Sequence, residues 1–356
     1  MYKQCPKPLP RTRDELLRSL QETELPEEIV LHLAAQARSA LLLTTVPAGA
    51  DAISLGTSKL GGTPDLPVGS TWPERPPYPD AAKRVAAYRR EAERLLVDSR
   101  KPGSWMTPEQ GETFSRDSLV RANAMDKPFP LAFFGQFDLA ALSQVEGFEP
   151  MLPKDGRLLV FYDFWETPED FTPEAAVGWR VIWDRTPTES LARAAIPEAL
   201  AAISDDHWTT IFKPAPLSAT PVVTPIPPND KSWDAFDLDD EELLDTYCEW
   251  LEEFGTPADK DGENHQLGGY PRTLQNGLQA RSQLAANGID CGRSNAWDTP
   301  AAKALLPGAK SWRLLLQIGA DANTGMEGPG AYYVIIREED LAARRFEQAR
   351  VIYQCD

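Results

Sequence analysis

The chain has 356 residues, 42% hydrophobic and 25% charged, the balance of an ordinary globular protein with length for about two domains. Fifty-four acidic against thirty-six basic residues leave a net charge of −18; with no concentrated basic patch, neither nucleic acid nor a membrane surface is expected as a partner. No run approaches the roughly 18 apolar residues of a membrane helix, no apolar stretch follows the basic residues of the N-terminus, and the cytoplasm is the expected location.

Thr12 and Glu15 stand at capping-box spacing with Leu16, Leu17 and Leu20 behind them, so the chain opens with a helix. A second helix is expected from Pro26, with Ile29, Leu33, Ala37 and Leu41 recurring every four residues. Beyond Ser54 the helical pattern gives way to short apolar runs broken by Gly, Pro and Asp. The most basic stretch, residues 81–94, reads as a solvated face of a helix over 80–96, with Glu91 and Glu93 among its arginines. Residues 130–139, 156–165 and 178–185 read as strands, the last with Trp179, Val181 and Trp183 on one face.

Residues 217–228 carry too many prolines for a central strand and read as an edge strand or linker. An acidic helix is expected over 237–254, then strands over 312–321 and 331–341, the second running into a short helix at Asp340. Long crossover helices between consecutive strands are mostly missing, so the class is α+β with largely antiparallel sheets. The expected organisation is an N-terminal helical segment (1–55) and two β-rich lobes, 56–228 and 229–356, in one compact unit.

Two segments echo one another: "LGGTPDLP" from Leu60 and "LGGYPRTL" from Leu267. A phosphate cradle needs consecutive backbone N–H groups, yet Pro64 and Pro271 interrupt them, and neither segment has a P-loop lysine or a third glycine. The glycine pairs are therefore expected to turn corners at positive φ. Each corner is followed by an apolar strand closing on a glutamine, Gln136 or Gln317, and then by a strand begun at a glycine, Gly156 or Gly330. The repeated order predicts two related halves. Both glutamines are expected to hydrogen-bond the corner backbones, with a place in the wall of an inter-lobe cleft as the other reading.

The ordered set "SKLGGTPDLPVGSTWP", "PLAFFGQFDL", "HQLGGYP" with Gln275, and "WRLLLQI" resembles the YwqG-like family, a bacterial family of unknown function, over about residues 25–356. The resemblance implies an α+β fold and transfers no activity, cofactor or catalytic residue. Against it, residues 74–127 stand as an insertion, expected to be a peripheral excursion. The loop that commonly reads Trp–Gly–Asp–x–Gly in relatives is here "GMEGPG", with Glu327 in the aspartate's place.

Catalytic signatures are missing. No nucleophile elbow, zinc-protease helix or EF-hand glycine occurs, and the four cysteines form no CxxC pair, which reads as reduced thiols and leaves open whether Cys5 meets Cys355. Of three histidines, His32 lies on a helix, His207 stands alone, and His265 adjoins the second corner. Asp321, Asn323 and Glu327 alternate as weak candidates for a hard cation. Trp72, beside the first corner, is the tryptophan expected to be exposed. No cofactor is implied.

The function expected is a non-enzymatic binding module whose small-molecule or protein partner meets the cleft between the lobes. Trp72, Gln136, His265, Gln275, Gln317 and Glu327 are its candidate contacts. The alternative is a hydrolase or metal-assisted enzyme using His265, Asp321 and Glu327.

Overall fold

The computed structural model of the chain describes residues 7–49, 52–204, 209–233, 240–254 and 265–355, without the side chains of Glu327 and Pro329. Cys5 and His207 lie outside the described residues, and so does the Glu327 carboxylate. The first strands are β1 (Arg38–Thr45), β2 (Lys59–Leu60), β3 (Asp65–Pro67), β4 (Glu74–Arg75), β5 (Phe129–Pro130) and β6 (Ala132–Asp138). After them come β7 (Arg157–Tyr162), β8 (Trp179–Asp184), β9 (Leu191–Arg193), β10 (Ala215–Thr224) and β11 (His265–Gly268). The last are β12 (Trp312–Asp321), β13 (Met326–Arg337) and β14 (Arg350–Cys355). Ten of these form one antiparallel sheet ordered β14-β13-β12-β11-β1-β10-β2-β6-β7-β8, with β3–β9 and β4–β5 as small separate ladders. The fold is α+β.

Alternate residues of a strand face opposite sides, and here both sides of the sheet are buried in places. Leu41 and Leu43 of β1, Phe134 and Phe137 of β6, Val160 of β7, Val334 of β13 and Val351 of β14 share one inner core. The sheet curls around it until the edge strands approach: the Trp179 indole Nε1, at the start of β8, donates to Ala349 O, just before β14, at 2.9 Å. Outside, helices α1 (Arg13–Leu20) and α2 (Glu27–Gln36) pack with the helix Glu241–Glu252 over Ala40, Val222 and Val223.

The second helix stops at Gln36, short of Leu41. A run buried on both faces, like "RSALLLTT", has no period to distinguish strand from helix, and Leu41 falls on the helical repeat by coincidence. The proline-rich stretch is likewise no linker. It is β10, at the middle of the sheet, pairing with β1 from Leu217 to Thr224 and with β2 only at Ala215 and Pro216. Most of the strand thus has a ladder on one side alone, which is where prolines are tolerated.

The register makes the halves comparable residue by residue. Lys59 faces Gln136 across β2–β6, and Gln266 faces Gln317 across β11–β12. Both glutamine strands carry a bulge at the same place, between Phe133 and Gly135 in β6 and between Leu314 and Leu316 in β12. By that count Gly156 matches Gly330, Leu158 matches Tyr332, and Trp183 matches Tyr353. The two central strands match as well: Leu41 faces Leu267 as Ala215 faces Leu60, and the equivalent residues Thr44 and Ser218 sit opposite each other. The first strand of each half therefore lies in the flank of the other, β1 against β11 and β10 against β2.

The insertion holds two helices rather than one, α3 (Ala81–Asp98) and α4 (Pro108–Ala124), packed as a hairpin. Thr107 and Gln110 form a capping box and Pro108 opens α4, a start signal hidden by the helix's few apolar residues. The hairpin's base belongs to the body. Fully buried Arg75 donates to Asp163 at 2.7 Å, Tyr78 donates to the same carboxylate at 3.0 Å, and Tyr78, Ala124, Met125 and Trp165 form a local core. Replacing all of 74–127 would remove that core. Replacing only residues 91–117 by a short Gly/Ser linker is expected to leave a single cooperative thermal transition within about 3 °C of the parent; loss of the cooperative melt would show that the hairpin tip is needed.

Candidate functional site

Both glycine corners have the predicted conformation: Gly61, Gly62, Gly268 and Gly269 all lie between φ +63° and +73°. The glutamines serve them in the same way. Gln136 Oε1 accepts the Asp65 N–H and Gln317 Oε1 accepts the Arg272 N–H, each at 2.9 Å. Gly62 and Gly269 are also close-approach points, since a Cβ there would lie 2.7 Å from Cβ of Pro214 and of Ala40 respectively.

Beneath the first corner is a buried polar cluster. The Asp65 carboxylate accepts from Gly56 N, Lys59 Nζ and Gln136 Nε2 on one oxygen and from Arg193 Nε on the other, at 2.8–3.1 Å. Burial lowers the Lys59 ammonium to about 8. Burial also pushes Asp65 upward, but Lys59 and the donors from Gly56, Gln136 and Arg193 outweigh it and hold the carboxyl below its ordinary range. With Lys59 and Asp65 1% and 0% exposed, this pair ties the loop to the sheet out of solvent, and only Arg193 reaches the surface.

The second half uses an uncharged arrangement, Gln266 Nε2 donating to Gly268 O and Tyr270 O. One position earlier, Ser58 Oγ accepts the Asp138 N–H, and in the matching place His265 Nδ1 accepts the Gly319 N–H. Because Nδ1 accepts, the ring proton belongs on Nε2, which faces Asp321 Oδ2 at 3.1 Å. Asp321 also accepts from the Thr45 hydroxyl and the Thr324 N–H. Burial would raise Asp321, but His265, Thr45 and Thr324 together bring it down to about 2.

His265 is 1% exposed with both ring nitrogens engaged, so neither is presented to a substrate. Its loss therefore acts on stability: His265→Ala is expected to cost about 2 kcal/mol, through a lost hydrogen bond to a charged partner and a small cavity. Since the folded pKa of Asp321 lies below its unfolded value, its stabilisation is complete above about pH 4 and fades as pH falls through about 2. Urea melts from pH 5 to pH 2 should show a shallower acid loss in Asp321→Asn than in the parent.

The other sequence candidates are scattered. Trp72 is half-buried on Phe161, its Nε1 donating to Leu131 O; among the described tryptophans the one that stands in solvent is Trp105, 76% exposed at the hairpin tip. Exposed Gln275 donates to Cys355 O. Asn323 donates to Thr45. Among the described residues no group of three or more His, Cys, Asp or Glu side chains is placed to hold a metal ion, and no helix is long and apolar enough to cross a membrane.

The open space lies elsewhere. A cleft of about 830 Å³ is lined by Phe164, Thr167, Phe212 and Lys213 from the first half and by Ala320, Thr324, Tyr332 and Tyr353 from the second, among others. Its floor is a collar of rings: Tyr332 meets Phe134, Tyr162, Phe164 and Tyr353 at centroid distances of 4.7–5.3 Å. The matching end of the first half is closed, with Leu139, Leu142, Leu152, Leu341 and Phe346 packed against Leu158 and Trp183 in the inner core. Counting from the paired strands, Leu139 corresponds to Ala320 and Leu341 to Thr167. Two large residues at one end are small at the other.

Sequence reading missed these lining residues because rings inside strand-like runs look like core. Aligning the two halves and looking for large-to-small exchanges would have found the cleft.

A family model described as domain of unknown function (DUF1963) matches residues 58–355. The chain belongs to that family. The DUF1963 match takes in both glycine corners, both glutamine strands and every cleft residue named above, while α1, α2 and β1 precede it. It is consistent with the resemblance read from the motifs. No curated protein matches the chain.

Proposed function

We propose that this DUF1963 chain is a non-enzymatic binding protein that takes a small molecule into the open end of its curled sheet, between two halves that are copies of one unit. The reading places it with the YwqG-like proteins and in the cytoplasm. The supporting observation is the contrast between the two ends: the same strands and bulges, one end filled by leucines and Phe346, the other a ring-floored cleft. Binding sites are commonly concave and mostly apolar with a few polar groups, and Thr167, at the rim, adopts φ +46°, a strained value for a β-branched residue.

The hydrolase reading rests on the 3.1 Å approach of His265 to Asp321. It lacks an exposed base, because both ring nitrogens are committed. The test is a thermal-shift screen of small aromatic and aliphatic metabolites against the parent and Ala320→Trp, which fills the cleft. Hits that stabilise the parent and lose their effect in Ala320→Trp support the proposal; a screen with none, or hits indifferent to the substitution, rejects it.

A further inference from the structure

Resting on the cleft as the binding site, we infer that its ligand is an aromatic anion: a flat ring system carrying an acid group, seated with the ring in the collar and the acid at Lys213. The collar supplies the ring half of this chemistry. Phe164 packs edge-on against Phe134, Tyr162, Phe212 and Tyr332 at 4.9–5.3 Å between centroids, and an inserted ring would extend that herringbone.

Lys213 supplies the charge. It is the cation among the described lining residues, is exposed, and pairs with no carboxylate among the described residues, in a protein whose acids outnumber its bases by eighteen. Its main chain is held from both sides: Lys213 N donates to Thr324 O at 2.8 Å, and the first corner fixes the preceding carbonyl, Gly62 N donating to Phe212 O at 2.8 Å. A Cβ at Gly61 would lie 2.2 Å from Lys213 O. The glycine corner is thus the seat that lets this lysine sit at the cleft wall.

The experiment compares two fluorescent probes of similar shape, the anionic 1-anilinonaphthalene-8-sulfonate and the uncharged N-phenyl-1-naphthylamine, titrated into the parent, Lys213→Glu and Lys310→Glu. Lys310 is an exposed lysine outside the cleft lining, so its reversal repeats the change in net charge. Saturable binding of both probes to the parent is expected. Lys213→Glu should weaken the sulfonate about tenfold or more while leaving the uncharged probe and the melting temperature unchanged, and Lys310→Glu should alter neither by more than about twofold. If both probes bind but Lys213→Glu treats them alike, the anion assignment is wrong and the cleft stands. If neither probe saturates, the cleft reading itself fails.

Discussion

Asp65→Ala is expected to destabilise the protein by about 3–5 kcal/mol at neutral pH, because it leaves the Lys59 ammonium in the interior without its counter-charge. The substitution also takes an acceptor from Gly56 N and from Arg193. Most of that loss is the penalty of a stranded charge rather than the worth of the pair, so the double variant Lys59→Met/Asp65→Ala should recover at least half of it. The second half shows that the fold tolerates an uncharged residue there, with Gln266 in the place of Lys59. The pH dependence separates charge from packing. Lys59 titrates near 8 with Asp65 present, below its unfolded 10.5, and lower still without it. Over that interval the unfolded chain binds more protons, so Asp65→Ala should gain stability from pH 7 to pH 9.5. Equal deficits in urea melts at both pH values would mean the charge is not the cause.

Gly62→Val and Gly269→Val should each cost about 2–5 kcal/mol. A β-branched residue at positive φ is strained by about 1–3 kcal/mol, and forcing its Cβ into packed neighbours adds a similar amount. The two sites are close in geometry, φ +71° and +72°, with nearest contacts of 2.7 Å to Pro214 Cβ and 2.6 Å to Thr224 Oγ1. The melting temperatures should therefore fall together, by several degrees or more. They should differ in binding: only the first corner abuts Phe212 to Pro214 and hence the cleft, so Gly62→Val alone should impair probe binding among molecules still folded. A Gly269→Val protein that melts like the parent would undo the structural account of the corners.

The glycine corners, the glutamine strands and the antiparallel class were legible in the sequence because each depends on local chemistry: a proline after two glycines, an apolar run ending in an amide. The central strands were not. β1 is apolar on both faces and β10 is broken by prolines, so the place of each in the sheet depends on partners far along the chain. α4 was hidden because a peripheral hairpin buries few residues, here Gly111, Ser115, Ala122 and Ala124, none of them large and apolar. His265 looked like a candidate base beside a motif loop. Only the register shows it doing the work of Ser58 in the other half, accepting one backbone N–H. The cleft was invisible residue by residue and visible only as a difference between two equivalent ends.

The exchange of first strands has a consequence for synthesis. β1 is translated early, yet its two neighbours in the sheet, β10 and β11, begin at Ala215 and His265. At roughly 5–20 residues per second, the ribosome needs on the order of ten seconds or more to deliver them. During that time β1 has no strand to pair with, and "ALLLTT" emerges as an apolar segment with both edges open, the kind of segment that aggregates. β2 is short of its β10 neighbour for nearly as long. A nascent chain halted before residue 215 therefore cannot complete even its first half. The flank that holds β1 cannot close until β11 to β14 are made, so β1 must be shielded until the polypeptide is nearly finished.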